Sequence, residues 1–256
     1  MASTGDGDSL ARALEFMRDA VAKTADRVRT IDAGWVISTP SLPAVWVLNQ
    51  LRVVQPLAFG SIVEIADEHL AGTGYRHVAV EHQDSGPVLE EAFERAGWRV
   101  ERELLMVLSD ASEREVDSSV VIAAAEDEVA EIMRRWHDDG RNLPAHELGQ
   151  LVEYSRREAR VCGDRLLGVR SSDGQLVAIT KLRTDGRTAQ VEDVYTVPEA
   201  RGRGFASALV THAVTLARDS GHDLVFIVAD ATDWPQILYG RLGFRPLGRM
   251  WQFHRD

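Results

Sequence analysis

From residue 119 onward the apolar positions change period in a regular order. Ser119–Ala124 is a β-branched run that reads as a strand, and Glu126–Asp138 and Ala145–Ala159 carry apolar residues at helical spacing. Leu166–Arg170 and Leu176–Arg183 read as strands joined through Ser172-Asp173-Gly174, a hairpin signal. Asp185-Gly186 then marks the turn into a further strand, Ala189–Val197. Phe205–Asp219 is amphipathic, with Leu209, Ala213 and Leu216 at helical spacing, and Leu224–Ala229 reads as a buried strand. A helix around Tyr239 and a last strand around Met250–Phe253 complete the pattern. Upstream, Ser109–Ser118 is polar and poor in large apolar residues, so it reads as a linker between two halves.

Between the strand ending at Val197 and the helix opening at Phe205 lies Pro198-Glu199-Ala200-Arg201-Gly202-Arg203-Gly204. Two glycines let successive N–H groups point at one anion, the helix adds its positive dipole end, and Arg201 and Arg203 add charge. This is a phosphate-holding turn. Its spacing Arg-x-x-Gly-x-Ala, after a strand ending Val-Tyr-Thr-Val-Pro, resembles the acyl-CoA-binding motif of the GNAT N-acetyltransferase superfamily. Downstream, Asp233–Phe244 is similar to that family's second signature, a helix bearing a tyrosine and ending Leu-Gly-Phe.

The resemblance implies an α+β (α/β/α) fold, a mostly antiparallel mixed sheet flanked by helices, with acetyl-CoA or another acyl-CoA as co-substrate. It implies cofactor contacts at Tyr195, Thr196 and Val197, through backbone near the strand end, and at Arg201, Gly202, Arg203, Gly204, Phe205, Ala206 and Ser207. Tyr239 matches the tyrosine that in many family members protonates the departing thiolate; a core tyrosine beside Leu238 and Leu242 is the other reading. Where many members carry an asparagine seven residues before that tyrosine, this chain has Thr232.

Transfer to an amine also requires removing a proton from an alkylammonium of pKa about 10.4. Candidate bases stand on the strand Ala189–Val197. Strict alternation puts Val191, Asp193, Tyr195 and Val197 on one face and Glu192, Val194 and Thr196 on the other. Asp193 is therefore the first candidate base and Glu192 the second. Either could instead pair with an arginine such as Arg183 or bind the acceptor's ammonium. Trp136, His137, His146 and Tyr154 lie on the helices that usually shape acceptor specificity.

The first half echoes the second. A shift of 146 residues lays Val78-Ala79-Val80 on Leu224-Val225-Phe226, Phe93–Trp98 on Tyr239–Phe244 and, without a gap, Val45–Leu51 on Val191–Val197. The same shift puts Gln55, Pro56 and Ala58 where the second half has Arg201, Gly202 and Gly204, and Phe93 where it has Tyr239. The expected organisation is a degenerate half over 1–112, a linker over 113–118 and a catalytic half over 119–256. The first half would neither bind acyl-CoA nor catalyse, and could wall the acceptor site.

Charge and composition narrow the partners. The formal net charge is −11, against a nucleic-acid binder, and residues 1–117 hold 11 basic and 20 acidic side chains, so anion-binding machinery belongs to the second half. No apolar run approaches the about 20 residues that span a bilayer, and the start lacks a signal-peptide pattern, so a cytoplasmic location is expected. The single cysteine, Cys162, excludes an internal disulfide, and no Cys/His spacing suggests a metal. The expected activity is acetyl transfer from acetyl-CoA directly to a primary amine, small molecule or basic peptide, by a monomer or homodimer. A non-catalytic acyl-CoA sensor and a peptide or protein N-acetyltransferase are the alternatives.

Overall fold

The computed structural model describes residues 4–109 and 116–256. The first half runs α1 (Thr4–Thr24), β1 (Arg27–Ile31), β2 (Gly34–Ser38), β3 (Gln50–Val53), α2 (Phe59–His69), β4 (Arg76–Val80), α3 (Gly86–Arg95) and β5 (Arg99–Leu108). The second runs β6 (Val121–Ala123), α4 (Glu126–Asp138), α5 (Ala145–Cys162), β7 (Arg165–Arg170), β8 (Leu176–Asp185), β9 (Thr188–Thr196), α6 (Phe205–Asp219), β10 (Leu224–Asp230), α7 (Pro235–Arg241) and β11 (Phe244–Arg255). The predicted strand Ser119–Ala124 shrinks to β6, because Val121 N–H turns back to the Ser118 carbonyl. The strand predicted at Met250–Phe253 grows into β11, which has a partner on each side. Much of the expected linker lies outside the described residues.

All the strands join one 11-stranded sheet in the order β1-β2-β3-β4-β11-β5-β10-β9-β8-β7-β6. The halves exchange their last strands. β5, from the first half, pairs antiparallel with β10 (Phe226 opposite Val107), and β11, from the second, pairs antiparallel with β4 (Trp251 opposite Val80). Alternation along these central strands sends Leu104 and Met106 into the core beneath α6 and Leu105 and Val107 into the core beneath α1. Helix α1 packs Ala13, Leu14 and Phe16 across the junction, with Phe16 edge-on to Phe226 at 5.6 Å. Helices α1, α4 and α5 cover one face and α2, α3, α6 and α7 the other, a three-layer arrangement.

The internal repeat holds from the helices onward, since Phe59 and Phe205, which open α2 and α6, stand 146 apart. The ungapped overlay of Val45–Leu51 on Val191–Val197 does not hold. Trp46–Leu48 is a 3₁₀ turn, and Leu51 pairs with Val78 as Thr188 pairs with Leu224, an offset of 137 for the strand against 146 for its partner. The first half therefore lacks the nine residues that carry β9 past its parallel partner. Its strands stay closed instead: Glu81 N–H continues the ladder to the Val53 carbonyl, and the buried Arg52 guanidinium bonds the Glu81 carboxylate.

Candidate acyl-transfer site

β9 follows β10 in parallel only as far as Val191 opposite Ile227, then leaves it while keeping its ladder with β8. At the point of departure the β8–β9 register slips by one residue, with Ile179 opposite Tyr195 but Lys181 opposite Glu192. Asp193 sits in this bulge at φ 53°, and the Thr180 hydroxyl donates to the Glu192 carbonyl at 2.8 Å. The slip overturns the strict alternation expected from sequence. Val191 and Val194 both pack on the α6 side, whereas Tyr195 and Val197 pack beneath α4. Glu192 and Asp193 both come to lie among Lys181, Arg183 and Glu158.

That cluster is largely buried. Lys181, 1% exposed, brings its Nζ to 2.5 Å from Asp193 and 3.5 Å from Glu158. Arg183 reaches Glu158 at 2.9 Å and grips both Asp164 oxygens, and the Tyr154 hydroxyl donates to Glu158 at 2.8 Å. Asp193 is thus held by Lys181, not by Arg183. Burial opposes charge on Lys181, but Asp193 and Glu158 outweigh it and raise its pKa. Glu192 is treated differently. Its buried Oε2 has no hydrogen-bond partner among the described residues, and burial, reinforced by Asp193 and Glu158 against the pull of Arg183 and Lys181, pushes its pKa up to about 8. Neither Lys181 nor Glu158 was among the residues expected at the site, although a lone lysine in this arginine-rich half was a signal.

Where β9 parts from β10, a cleft of about 670 Å³ opens. Tyr195, Thr196, Arg201, Gly202 and Gly204 line one side, continuing through Phe205, Ala206 and Ser207 in the first turn of α6. Gly202 and Gly204 have φ 77° and 81°; a Cβ would meet nothing within 4 Å at either, so their backbone conformation, not crowding, demands glycine. Arg201 donates to the Thr196 carbonyl at 3.1 Å and lies 5.8 Å over the Tyr195 ring, and Arg203 is exposed on the turn. Val197 is fully buried and its N–H is bonded to the Val177 carbonyl at 3.0 Å. The backbone groups that face away from β8 therefore belong to Val194 and Thr196; of the expected contacts Thr196 keeps that place, whereas Tyr195 and Val197 turn their backbone to β8. Trp234, Leu238 and Tyr239 form the opposite wall. Tyr239 is buried, and burial together with the charge of Glu192 raises its phenol pKa. Thr232 turns away, its hydroxyl and N–H both on Asp230 at 2.6 and 2.7 Å.

The cleft is thus a strand splayed from its parallel neighbour over a glycine turn and a helix N-terminus. Residues 126–244 match the model of the Acetyltransferase (GNAT) family. That span, within the second half, is the chain's GNAT domain. Among curated proteins it is similar to mycothiol acetyltransferase of Clavibacter sepedonicus, 34% identical over 91 residues. That match spans 35% of this chain and 30% of the relative's length. The whole chain resembles the GCN5-related N-acetyltransferase from Kribbella flavida in fold, with TM-score 0.65, 16% identity and coverage of 96% of this chain and 95% of the other. A functionally unknown conserved protein from Staphylococcus epidermidis ATCC 12228 gives TM-score 0.69 at 14% identity, over 91% and 94%.

Beside the GNAT cleft is a second cavity of about 650 Å³. It is walled by the first half, through Val45, Trp46 and Arg99, and by the GNAT domain, through His137, Arg141 and Tyr154. Arg141 lines both cavities, and Trp136, next to His137, stacks on Tyr195 at 5.2 Å. Among the described residues no helix is long and apolar enough to cross a membrane, and no group of His, Cys, Asp and Glu could hold a metal ion.

Proposed function

We propose that the GNAT domain transfers an acetyl group from acetyl-CoA directly to a primary amine. The observation that carries this reading is the glycine turn at Gly202 and Gly204 facing the Tyr239 phenol across one cleft, with Glu192, its Oε2 buried and unpartnered among the described residues, behind that cleft and within electrostatic reach of the phenol. The cleft fits the co-substrate. The positive-φ glycines and the start of α6 suit a pyrophosphate, and the free edge of β9 at Val194 and Thr196 suits the amide groups of a pantetheine arm.

When bound, the thioester supplies an electrophilic acyl carbon. Glu192 accepts a proton from the incoming ammonium, because its pKa of about 8 makes it a competent base near neutral pH while it still finds a partly protonated resting state. As the nitrogen bonds to the acyl carbon and the carbon–sulfur bond breaks, Tyr239, its phenol kept protonated by burial and by Glu192, gives a proton to the sulfur, and the second proton shed by the nitrogen restores the phenol. Asp193, neutralised by Lys181, shapes the site.

The test is thiol release from acetyl-CoA across a panel of amines. Tyr239→Phe is expected to lower kcat about 10²- to 10³-fold with acetyl-CoA affinity kept within about twofold. Binding of acetyl-CoA by the unaltered protein without thiol release in the presence of any amine would support the non-catalytic sensor instead.

A further inference from the structure

The two ends of the second cavity differ in chemistry. Its inner end adjoins the chemistry, since His137 lies close enough to Asp193 and Lys181 to feel their charges, and Tyr154 bonds Glu158. His137 presents a buried Nε2 with no hydrogen-bond partner among the described residues. Burial lowers its pKa to about 4, so it stands neutral and does not repel an ammonium.

The outer end carries the guanidinium groups of Arg99 and Arg141 beside the carboxylates of Glu101 and Glu147, and the first half holds Arg99 in place. The Arg99 guanidinium lies 4.6 Å over the Trp46 ring, which also stacks on His254 at 3.7 Å. Arg99 is thus presented in a fixed orientation, with Glu101 at 3.4 Å. Arg141 adds a second guanidinium, without an ion-pair partner among the described residues, and Glu147 lies beside His146 at 3.9 Å.

We infer that this cavity is the acceptor site and that the acceptor bears a carboxylate as well as a primary amine, the amine directed toward Glu192 and the carboxylate toward Arg99. The inference rests on the acyl-transfer reading above and adds the acceptor's chemical class. A diamine would leave the Arg141 guanidinium unpaired, whereas an amino acid or short peptide with a free carboxylate pairs with both ends. Specificity then comes from the half of the chain that lacks its own cleft.

The experiment compares matched amines on the full chain at saturating acetyl-CoA: lysine against cadaverine, ornithine against putrescine, and a dipeptide against its C-terminal amide. The carboxylate-bearing member of each pair is expected to have a KM about ten- to a hundredfold lower, the loss of one charge-assisted contact. Arg99→Ala should erase that ratio by raising the KM of the acids alone, leaving kcat and the KM for acetyl-CoA unchanged, and Arg99→Lys should restore part of it. Arg99 is exposed and outside the cofactor cleft, so an unchanged melting temperature verifies that the variant folds. Equal or better use of the decarboxylated partners, or a ratio untouched by Arg99→Ala, would overturn the inference while leaving acyl transfer intact. Absence of thiol release with every amine would overturn the acyl-transfer reading and this inference with it.

Discussion

Replacing Glu192 with Gln tests the chemistry of the site most directly, because this carboxylate faces charges from every element packed on it. Arg183 and Lys181 on β8 and Glu158 on α5 flank it, Asp193 follows it in the bulge on β9, and Tyr239 stands on α7. With a pKa of about 8, roughly a tenth of the enzyme carries an ionised Glu192 at pH 7 and roughly nine tenths at pH 9. The kcat of the unaltered protein should therefore rise about tenfold between those values and level off. In Glu192→Gln it should fall about 10²- to 10⁴-fold, the usual range for a lost general base, and lose that slope. The assay is thiol release at saturation in both substrates, so that titration of the free amine does not enter. Stability supplies an independent reading. A carboxyl whose pKa is raised on folding is bound to its proton more tightly in the native state, so the stability it contributes is complete below its unfolded pKa and is lost as pH climbs toward about 8. The melting temperature of Glu192→Gln should gain on that of the unaltered protein over that window. A flat kcat profile between pH 7 and 9, or melting curves that run parallel, would refute the assignment.

Other perturbations probe the frame around the site. Lys181→Met leaves Asp193 and Glu158 facing each other in a buried cluster and should cost about 3–5 kcal/mol in chemical unfolding; an unchanged midpoint would show that the cluster is not ionised. Gly204→Ala puts a Cβ on a φ of 81° with open space around it, so the strain of about 1–2 kcal/mol comes from the backbone alone. Relief of that strain moves the turn, and calorimetry should show acetyl-CoA affinity weakened about tenfold. Residues 119–256 expressed alone lose β5 from between β10 and β11 and expose the β10 edge, so they should show no cooperative unfolding until co-expressed with residues 1–118. A soluble, cooperatively folded 119–256 would overturn that account of the shared sheet.

Legibility from sequence varied with the range of the interaction. The turn at Gly202 and Gly204 could be read because a positive φ restricts residue choice locally, and Leu209 and Ala213 marked the buried side of α6 by their spacing alone. The faces of Glu192 and Asp193 could not be read this way. Their disposition depends on a bulge set by pairing with β8, where Lys181 opposes Glu192 and the Thr180 hydroxyl secures the kink, and nothing within β9 itself announces the extra residue. The missing nine residues beside β3 escaped notice because α2 and α6 begin 146 apart, which hides a deletion upstream of them.

The sequence by itself determined the order of strands and helices from residue 119 onward, the phosphate-holding turn, the tyrosine of α7 and the absence of a matching turn in the first half. Each is a property of a few adjacent residues, carried by backbone φ preferences or by the period of apolar positions. The tertiary structure alone decided that β5 and β11 change places across the junction, that the carboxylates of Glu192 and Asp193 share one face, and that Arg99 and His137 line one cavity. Strand alternation states which face is apolar but not which neighbour a ladder accepts, since backbone N–H and C=O groups are alike in every strand. The choice of neighbour, and with it the composition of the site, is made only when the whole sheet assembles.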